Sequence, residues 1–295
     1  MTSDREDPAH GNPPSRDPGH GDPGHRDGVG FGERVRLIGM VHVAALPGTP
    51  RAVLPPARIA SAAADEARLL EDAGFDAILL ENMHDVPYLR GAVGPEIVAT
   101  LAEVVGTVRR AVSVPLGVQV LAAANREALA VAHAAGAGFI RVEGFVFASV
   151  ADEGLLDEAS AGPLLRYRRA IGAESVAILA DVKKKHSAHA LTADVSLAET
   201  AAAAEFFGAD GVIVTGAATG AATDRADVEA VRRSVTRPVL VGSGVTPESA
   251  PWLLETADAL IVGSWYKRDG HWSHPPDPAR AAELVRAVRS APPRR

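Results

Sequence analysis

The chain has 295 residues, 47% hydrophobic and 23% charged, values that exclude a mainly disordered or fibrous protein. It has no cysteine, which excludes disulfides, thiolate metal sites, iron–sulfur clusters and a cysteine nucleophile. The formal net charge of -7 argues against a general affinity for nucleic acid or anionic lipid.

Residues 1–33 read as a disordered, low-complexity tail and residues 34–292 as the folded domain. The stretch HGNPPSRDPGHGDPGHRDGVG has almost no apolar side chains and cannot offset the entropy of ordering itself. It lacks the apolar core of a secretory signal and the Arg/Ser richness of a transit peptide. Nowhere does the chain reach the roughly 18 consecutive apolar residues of a membrane span. The expectation is a cytoplasmic protein without stable membrane insertion.

From residue 35 one pattern repeats: a short apolar run, an Ala/Leu/Arg segment of helical period, then Gly or Pro. Strands are predicted at 35–43, 76–82, 116–121, 139–145, 176–182, 211–216, 238–243 and 258–263. Helices are predicted at 57–73, 95–112, 126–135, 163–172, 196–207, 224–234, 247–255 and 278–290. The strands are near-continuous apolar runs, which suit a parallel sheet buried on both faces. The helices carry the amphipathic pattern; Ile59, Ala63, Ala67 and Leu70 share one face of the first. Gly74, Gly136, Gly172 and Gly208 stand where helices should close in a left-handed turn. Thr246-Pro247-Glu248 reads as a helix start. Eight strand–helix units match a (β/α)8 TIM barrel of about 250 residues, an α/β fold. An open doubly wound sheet needs a Gly-rich first turn, which residues 39–48 do not supply. Residues 146–162 form an insertion of lid-like length after the fourth strand.

In such a barrel, chemistry sits at the C-terminal ends of the strands. Those ends carry His42, then Glu81, Asn82 and Asp85, then Gln119, then Arg141 and Glu143, all expected to bind substrate or one another. The fifth strand ends on Asp181, followed by Lys183, Lys184, Lys185 and His186. Asp181, Lys183 and Lys185 share parity, which suggests an Asp–Lys pair suited to proton transfer beside a carbonyl, or a Schiff-base lysine. Thr215 closes the sixth strand, and Thr219 and Gly220 follow in its loop. Gly242-Ser243-Gly244 and Gly263-Ser264 expose backbone amides after the seventh and eighth strands, where a barrel holds phosphate; Lys267 adds a cation. The catalytic expectation falls on Asp181, Lys185, His186 and Glu81. No resident metal or cofactor is expected; Glu81, Asp85 and Asp181 are the set that would suit Mg²⁺ held through water. Four of the 30 basic residues are lysines, and all four follow the fifth and eighth strands.

These residues bring a resemblance into view. IGMVHVAALPGTP (38–50), ENMHDVPY (81–88), GAGFIRVEGF (136–145), ADVKKKHSAH (180–189), PVLVGSGVTPES (238–249) and ADALIVGSWYKRDG (257–270) are similar to the BtpA/SgcQ family of (β/α)8-barrel proteins. The likeness covers nearly all of 38–290 and departs at GVQVLAAAN in the third strand. It implies the barrel, and it places Asn82, Asp85, Asp181, Lys185, His186, Thr219 and Gly220 in the family pattern. One branch of the family is named for photosystem I accumulation; another resembles part of sugar-utilisation gene sets. The leading expectation is an isomerase, epimerase or lyase acting on a small phosphorylated molecule such as a sugar or nucleoside phosphate. The alternatives are a Schiff-base aldolase and a non-enzymatic stability factor for a membrane complex. A homodimer or higher oligomer is the expected assembly.

Overall fold

The computed structural model describes residues 29–183, 186–216 and 223–292. Its strands are β1 (Leu37–His42), β2 (Ala77–Glu81), β3 (Leu116–Gln119), β4 (Phe139–Val142), β5 (Ser149–Ala151), β6 (Gly154–Leu156), β7 (Ala177–Asp181), β8 (Ser187–Ala188), β9 (Gly211–Val214), β10 (Val239–Val241) and β11 (Ala259–Val262). Its helices are α1 (Pro56–Ala73), α2 (Pro95–Ala111), α3 (Asn125–Ala135), α4 (Ala161–Ala170), α5 (Leu197–Phe206), α6 (Arg225–Ser234), α7 (Ala250–Leu253) and α8 (Pro278–Ser290). Eight parallel strands close a barrel in the order β1-β2-β3-β4-β7-β9-β10-β11, and β11 pairs back onto β1. Each predicted strand is one of these eight.

The apolar runs are continuous because both faces of the eight barrel strands are buried. One parity faces the helices, with Val41, Ile78, Leu80, Val118, Ile140 and Val212 in that outer core. The other fills the barrel, with Met40, Leu79, Phe139, Leu179, Ile213 and Ile261. Gly117 makes room for the largest of these: a Cβ there would collide with the ring of Phe139, its register partner on β4.

The barrel floor corrects the domain boundary. Val29 and Phe31 lie inside the expected tail, yet they are buried and join the interior cluster. Phe31 sets its ring edge-on to Phe139 at 5.5 Å. The folded part therefore begins at least as early as residue 29. A single aromatic in a polar run gave no periodic signal, but it seals the open end of a barrel. Aspartates brace the same end. Asp76 accepts from the amides of Arg36 and Leu37, Asp210 from Ile178, and Asp258 from Val239. Arg168 and Arg232 reach Asp210 and Asp258 from the helices. Each aspartate precedes one strand and caps the start of its neighbour, satisfying donors that burial would otherwise leave unmade.

Seven of the predicted helices agree closely, and the four closing glycines take φ between 71 and 101°. The seventh differs. The segment predicted at 247–255 is a turn followed by the four-residue α7, which begins at Ala250 with Ser249 as its cap. Thr246 and Ser249 bond each other's amides and fold the turn instead of starting a helix. No helix dipole is available there. The insertion after β4 forms the β5–β6 hairpin, and β8, from the loop after β7, pairs with β5 in a three-stranded antiparallel sheet. Among the described residues no helix is long and apolar enough to cross a membrane.

Candidate active site

The inward parity continues to the C-terminal ends of the strands, but there the side chains turn polar. His42, Glu81 and Gln119 are register partners on β1, β2 and β3, so they stand side by side around the rim. Arg141 on β4 and Asp181 on β7 complete a ring in which every member is buried. Polar groups are costly to bury without partners, so their pairing decides what the ring can do.

Among the described residues Asp181 is paired with Arg141 and not with a lysine. Arg141 Nε and Nη2 donate to the two carboxylate oxygens of Asp181 at 3.0 Å each, and both side chains are 1% exposed. Burial works against the charge on Arg141, but Asp181, Glu81 and Glu143 outweigh it and hold its pKa above the ordinary value. Of the two lysines that share parity with Asp181, Lys185 lies outside the described residues and Lys183 is not its partner. Lys183 Nζ turns away and donates to the carbonyl of Val195 at 3.0 Å. Parity aligned Asp181 with the lysines, but Arg141 on the adjacent strand offers a planar fork that matches a carboxylate in two places. Two buried atoms of the ring have no hydrogen-bond partner among the described residues, Gln119 Oε1 and Arg141 Nη1.

His42 is fixed from above. Its Nδ1 lies 2.9 Å from the carbonyl of Trp272, in the loop after β11. A carbonyl only accepts, so Nδ1 carries the proton and Nε2 faces Glu81 Oε2 at 3.8 Å. The Trp272 ring meets His42 edge-on and packs against His84 at 4.9 Å between centroids. Burial, together with Lys267 and Arg51, holds the His84 pKa below its ordinary value.

A cavity of about 130 Å³ opens beside this pair. His42 and Glu81 line it together with Gly242, Ser243 and Gly244 after β10 and Gly263 and Ser264 after β11. Five residues grouped by sequence position as a phosphate site thus share one cavity. Among the described residues nothing accepts from the amides of Gly244 or Ser264. Gly263 keeps His42 in place, because a Cβ there would stand 3.0 Å from His42 Nε2. The Ser243 hydroxyl is already used: it accepts from the amide of Gly216 at 2.5 Å and ties the loop after β9 to the cavity wall.

Lys267 is not part of that cavity lining, which corrects the sequence reading. Its ammonium is buried, donates to Glu66 on α1 and lies 5.4 Å from the Tyr266 ring centroid. Burial pushes the Glu66 carboxyl up, against the opposing pull of Lys267. Glu66 lies 201 residues away in sequence, so nothing local to Lys267 revealed it. Lys267→Met is expected to lower stability by up to about 3 kcal/mol, because Glu66 loses its partner in a buried setting. The affinity for inorganic phosphate should stay within about threefold of wild type, since hydrogen bonds of the Gly244 and Ser264 amides are untouched. Urea denaturation and phosphate titration check the two halves; a folded variant that no longer binds phosphate would return Lys267 to the site.

The remaining candidates hold loops. Asn82 Nδ2 donates to Asp85 Oδ2 at 2.8 Å, Asn82 Oδ1 accepts from the Leu121 amide, and Asp85 Oδ1 accepts from the Leu46 amide. Burial pushes the Asp85 carboxyl up, partly offset by Leu46 and Asn82. With Asp85 committed to these donors and Asp181 to Arg141, the three-carboxylate Mg²⁺ set is not assembled. Glu143 Oε2 accepts from the Ala123 amide and lines a second, larger cavity of about 480 Å³ between α3 and the β5–β6 hairpin. Thr215 donates to the Lys183 carbonyl. His186 is exposed in the loop after β7. Lys184, Lys185, Thr219 and Gly220 lie outside the described residues. Met40, Met83 and Trp265 also line the first cavity and were missed, as was Trp272 above it. Met40 was legible as an inward position on β1; the tryptophans carried no signal beyond following the last strand.

A family model described as the BtpA family matches residues 33–290. An uncharacterized mitochondrial protein of Caenorhabditis elegans is 45% identical over 260 residues, covering 86% of this chain and 93% of that protein. The photosystem I biogenesis protein BtpA of Synechocystis sp. is 35% identical over 253 residues, covering 85% and 87%. Among solved structures, thiamine phosphate pyrophosphorylase from Pyrococcus furiosus superposes with a TM-score of 0.53 at 16% identity, covering 88% of this chain and 98% of that one. The N-acetylmannosamine-6-phosphate 2-epimerase from Clostridium perfringens gives 0.50 at 15% identity, covering 82% and 91%. These distant likenesses establish the barrel and nothing finer.

Proposed function

The chain belongs to the BtpA family, and from that premise and the geometry of the mouth we propose that it is an enzyme acting on a small phosphorylated substrate. One observation carries the reading. A single cavity joins the glycine-bounded ends of β10 and β11 to the His42–Glu81 pair. The amides of Gly244 and Ser264 are suited to phosphate oxygens, which need donors and tolerate no side-chain bulk. Glu81 and His42 are suited to taking and returning a proton. His42 Nε2 accepts when the ring is neutral and donates when it is charged. That pairing fits an isomerase, an epimerase or a lyase. The names of two barrels of like fold, a thiamine phosphate pyrophosphorylase and an N-acetylmannosamine-6-phosphate 2-epimerase, are consistent with a phosphorylated substrate.

Thermal melts test the phosphate half. A ligand at about ten times its Kd stabilises by roughly 1.4 kcal/mol, a rise of several degrees for a domain of this size. Inorganic phosphate and sugar phosphates at millimolar concentration should raise the Tm of wild type. Ser264→Asp, which sets a carboxylate beside the two amides, should fold normally and show no rise. The reading fails if no phosphorylated compound shifts the wild-type melt.

A further inference from the structure

Arg141 Nη1 and Gln119 Oε1 are buried at the rim of the barrel without hydrogen-bond partners among the described residues. Their residues are 1% and 3% exposed, so bulk water does not reach them. Folded proteins rarely leave such atoms unmade, and where they do a ligand or a trapped water is the usual reason. The two atoms belong together. Gly117 pairs with Phe139 and Val118 with Ile140 across β3 and β4, so Gln119 and Arg141 are the next neighbours on the inward face. One offers a proton and the other a lone pair. Turning the Gln119 amide over would set a donor against a donor, so the guanidinium favours the oxygen on its side.

One functional group satisfies both atoms at once. A hydroxyl accepts from Arg141 Nη1 and donates to Gln119 Oε1. A carboxylate accepts only; it would meet the Gln119 oxygen in a ring that already holds Glu81 and Asp181. An ammonium donates only and would meet the guanidinium. A methyl or aromatic group serves neither. The pair also adjoins the phosphate cavity: Arg141 Nη2 lies 3.4 Å from the point a Cβ on Gly242 would occupy, and Gly242 lines that cavity.

We infer that Gln119 and Arg141 read a substrate hydroxyl, and that the substrate is the phosphate ester of a polyol, a sugar phosphate, and not a phosphorylated acid or an aromatic phosphate. The inference rests on the phosphate site proposed above and adds what the other end of the molecule carries.

Calorimetric titration tests it with four probes: inorganic phosphate, pentyl phosphate, phosphoglycolate and ribose 5-phosphate. Wild type should bind ribose 5-phosphate about 10- to 100-fold more tightly than pentyl phosphate, the ratio expected for a hydroxyl bonded to a charged donor. In Gln119→Leu, and in Gln119→Met as a second variant, that ratio should fall by about 3- to 10-fold, the loss of one neutral hydrogen bond with Arg141 still in place, while pentyl phosphate still binds. Equal binding of ribose 5-phosphate and pentyl phosphate, with inorganic phosphate still bound, overturns the hydroxyl pair and leaves the phosphate site standing; a water then fills the gap. Tightest binding of phosphoglycolate, or an unchanged ratio of ribose 5-phosphate to pentyl phosphate binding in a folded Gln119 variant, also overturns it. If no probe binds, the phosphate site falls and this inference falls with it. Should both variants fail to fold, the wild-type ratio alone decides.

Discussion

Arg141→Ala should destabilise the barrel by about 3–5 kcal/mol, the cost of leaving a buried charge without its partner. Asp181 is 1% exposed at its side chain, and Arg141 supplies two of its hydrogen bonds. At roughly 2–4 °C per kcal/mol for a domain of this size, the melting midpoint should fall by about 10 °C. Arg141→Lys should recover part of the loss, because an ammonium keeps the charge but not the two-point fork. The double variant Arg141→Met/Asp181→Leu should recover most of it, since removing both members also removes their desolvation cost. Urea denaturation of the four proteins measures this. A loss below about 1 kcal/mol in Arg141→Ala, the range of a solvent-exposed pair, would mean that water relaxes into the site and the pair is not a buried one.

Glu81→Gln should lower turnover by about 10²- to 10⁴-fold, the usual contribution of a positioned acid or base. The substitution keeps the shape of a buried side chain on β2 and removes only its ability to take a proton. The affinity for the phosphorylated compound that stabilises wild type should change by less than about threefold, because the substitution leaves the backbone amides of Gly244 and Ser264 untouched. Steady-state kinetics beside direct titration separates the two quantities. Unchanged turnover in a folded Glu81→Gln protein removes Glu81 from the chemistry and leaves His42 to carry it alone.

The position of this polar mouth is legible in the sequence. Strand ends could be read because the apolar runs are short and punctuated by glycine and proline, and the barrel rule then points to the mouth. His42, Glu81, Gln119, Arg141 and Asp181 all occupy the inward ring that this reasoning selects. Gly242, Ser243, Gly244, Gly263 and Ser264 do share one cavity. Two corrections share one form, a partner assigned by nearness in sequence. Parity points Asp181 at Lys183, but among the described residues its partner is Arg141, 40 residues back and one strand over. Lys267 was sent to the phosphate because it follows β11, but Glu66 on α1 claims it. Thr246 was read as a helix cap, yet its hydroxyl and that of Ser249 close a turn on themselves.

The opening arithmetic also looks different against the structure. The lysine clustering suggested a catalytic group tuned by burial. Of the two lysines within the described residues, Lys183 donates to a backbone carbonyl and Lys267 to a helix carboxylate. The buried cation of the ring is an arginine, Arg141.

The sequence by itself determined the eightfold alternation, the two-faced burial of the strands, the end of the barrel where polar residues gather and the family to which the chain belongs. Those properties are written in periodicity and in short-range pattern, which one dimension holds. Only the tertiary structure decided which charges pair, which amides stay open and which polar atoms are left without a partner. Closing the barrel sets β3 beside β4 and β11 beside β1, so a side chain's nearest neighbours lie across strands. Burial then makes each pairing exclusive, because a desolvated charge takes the partner with the best geometry and leaves the others to solvent or to a ligand.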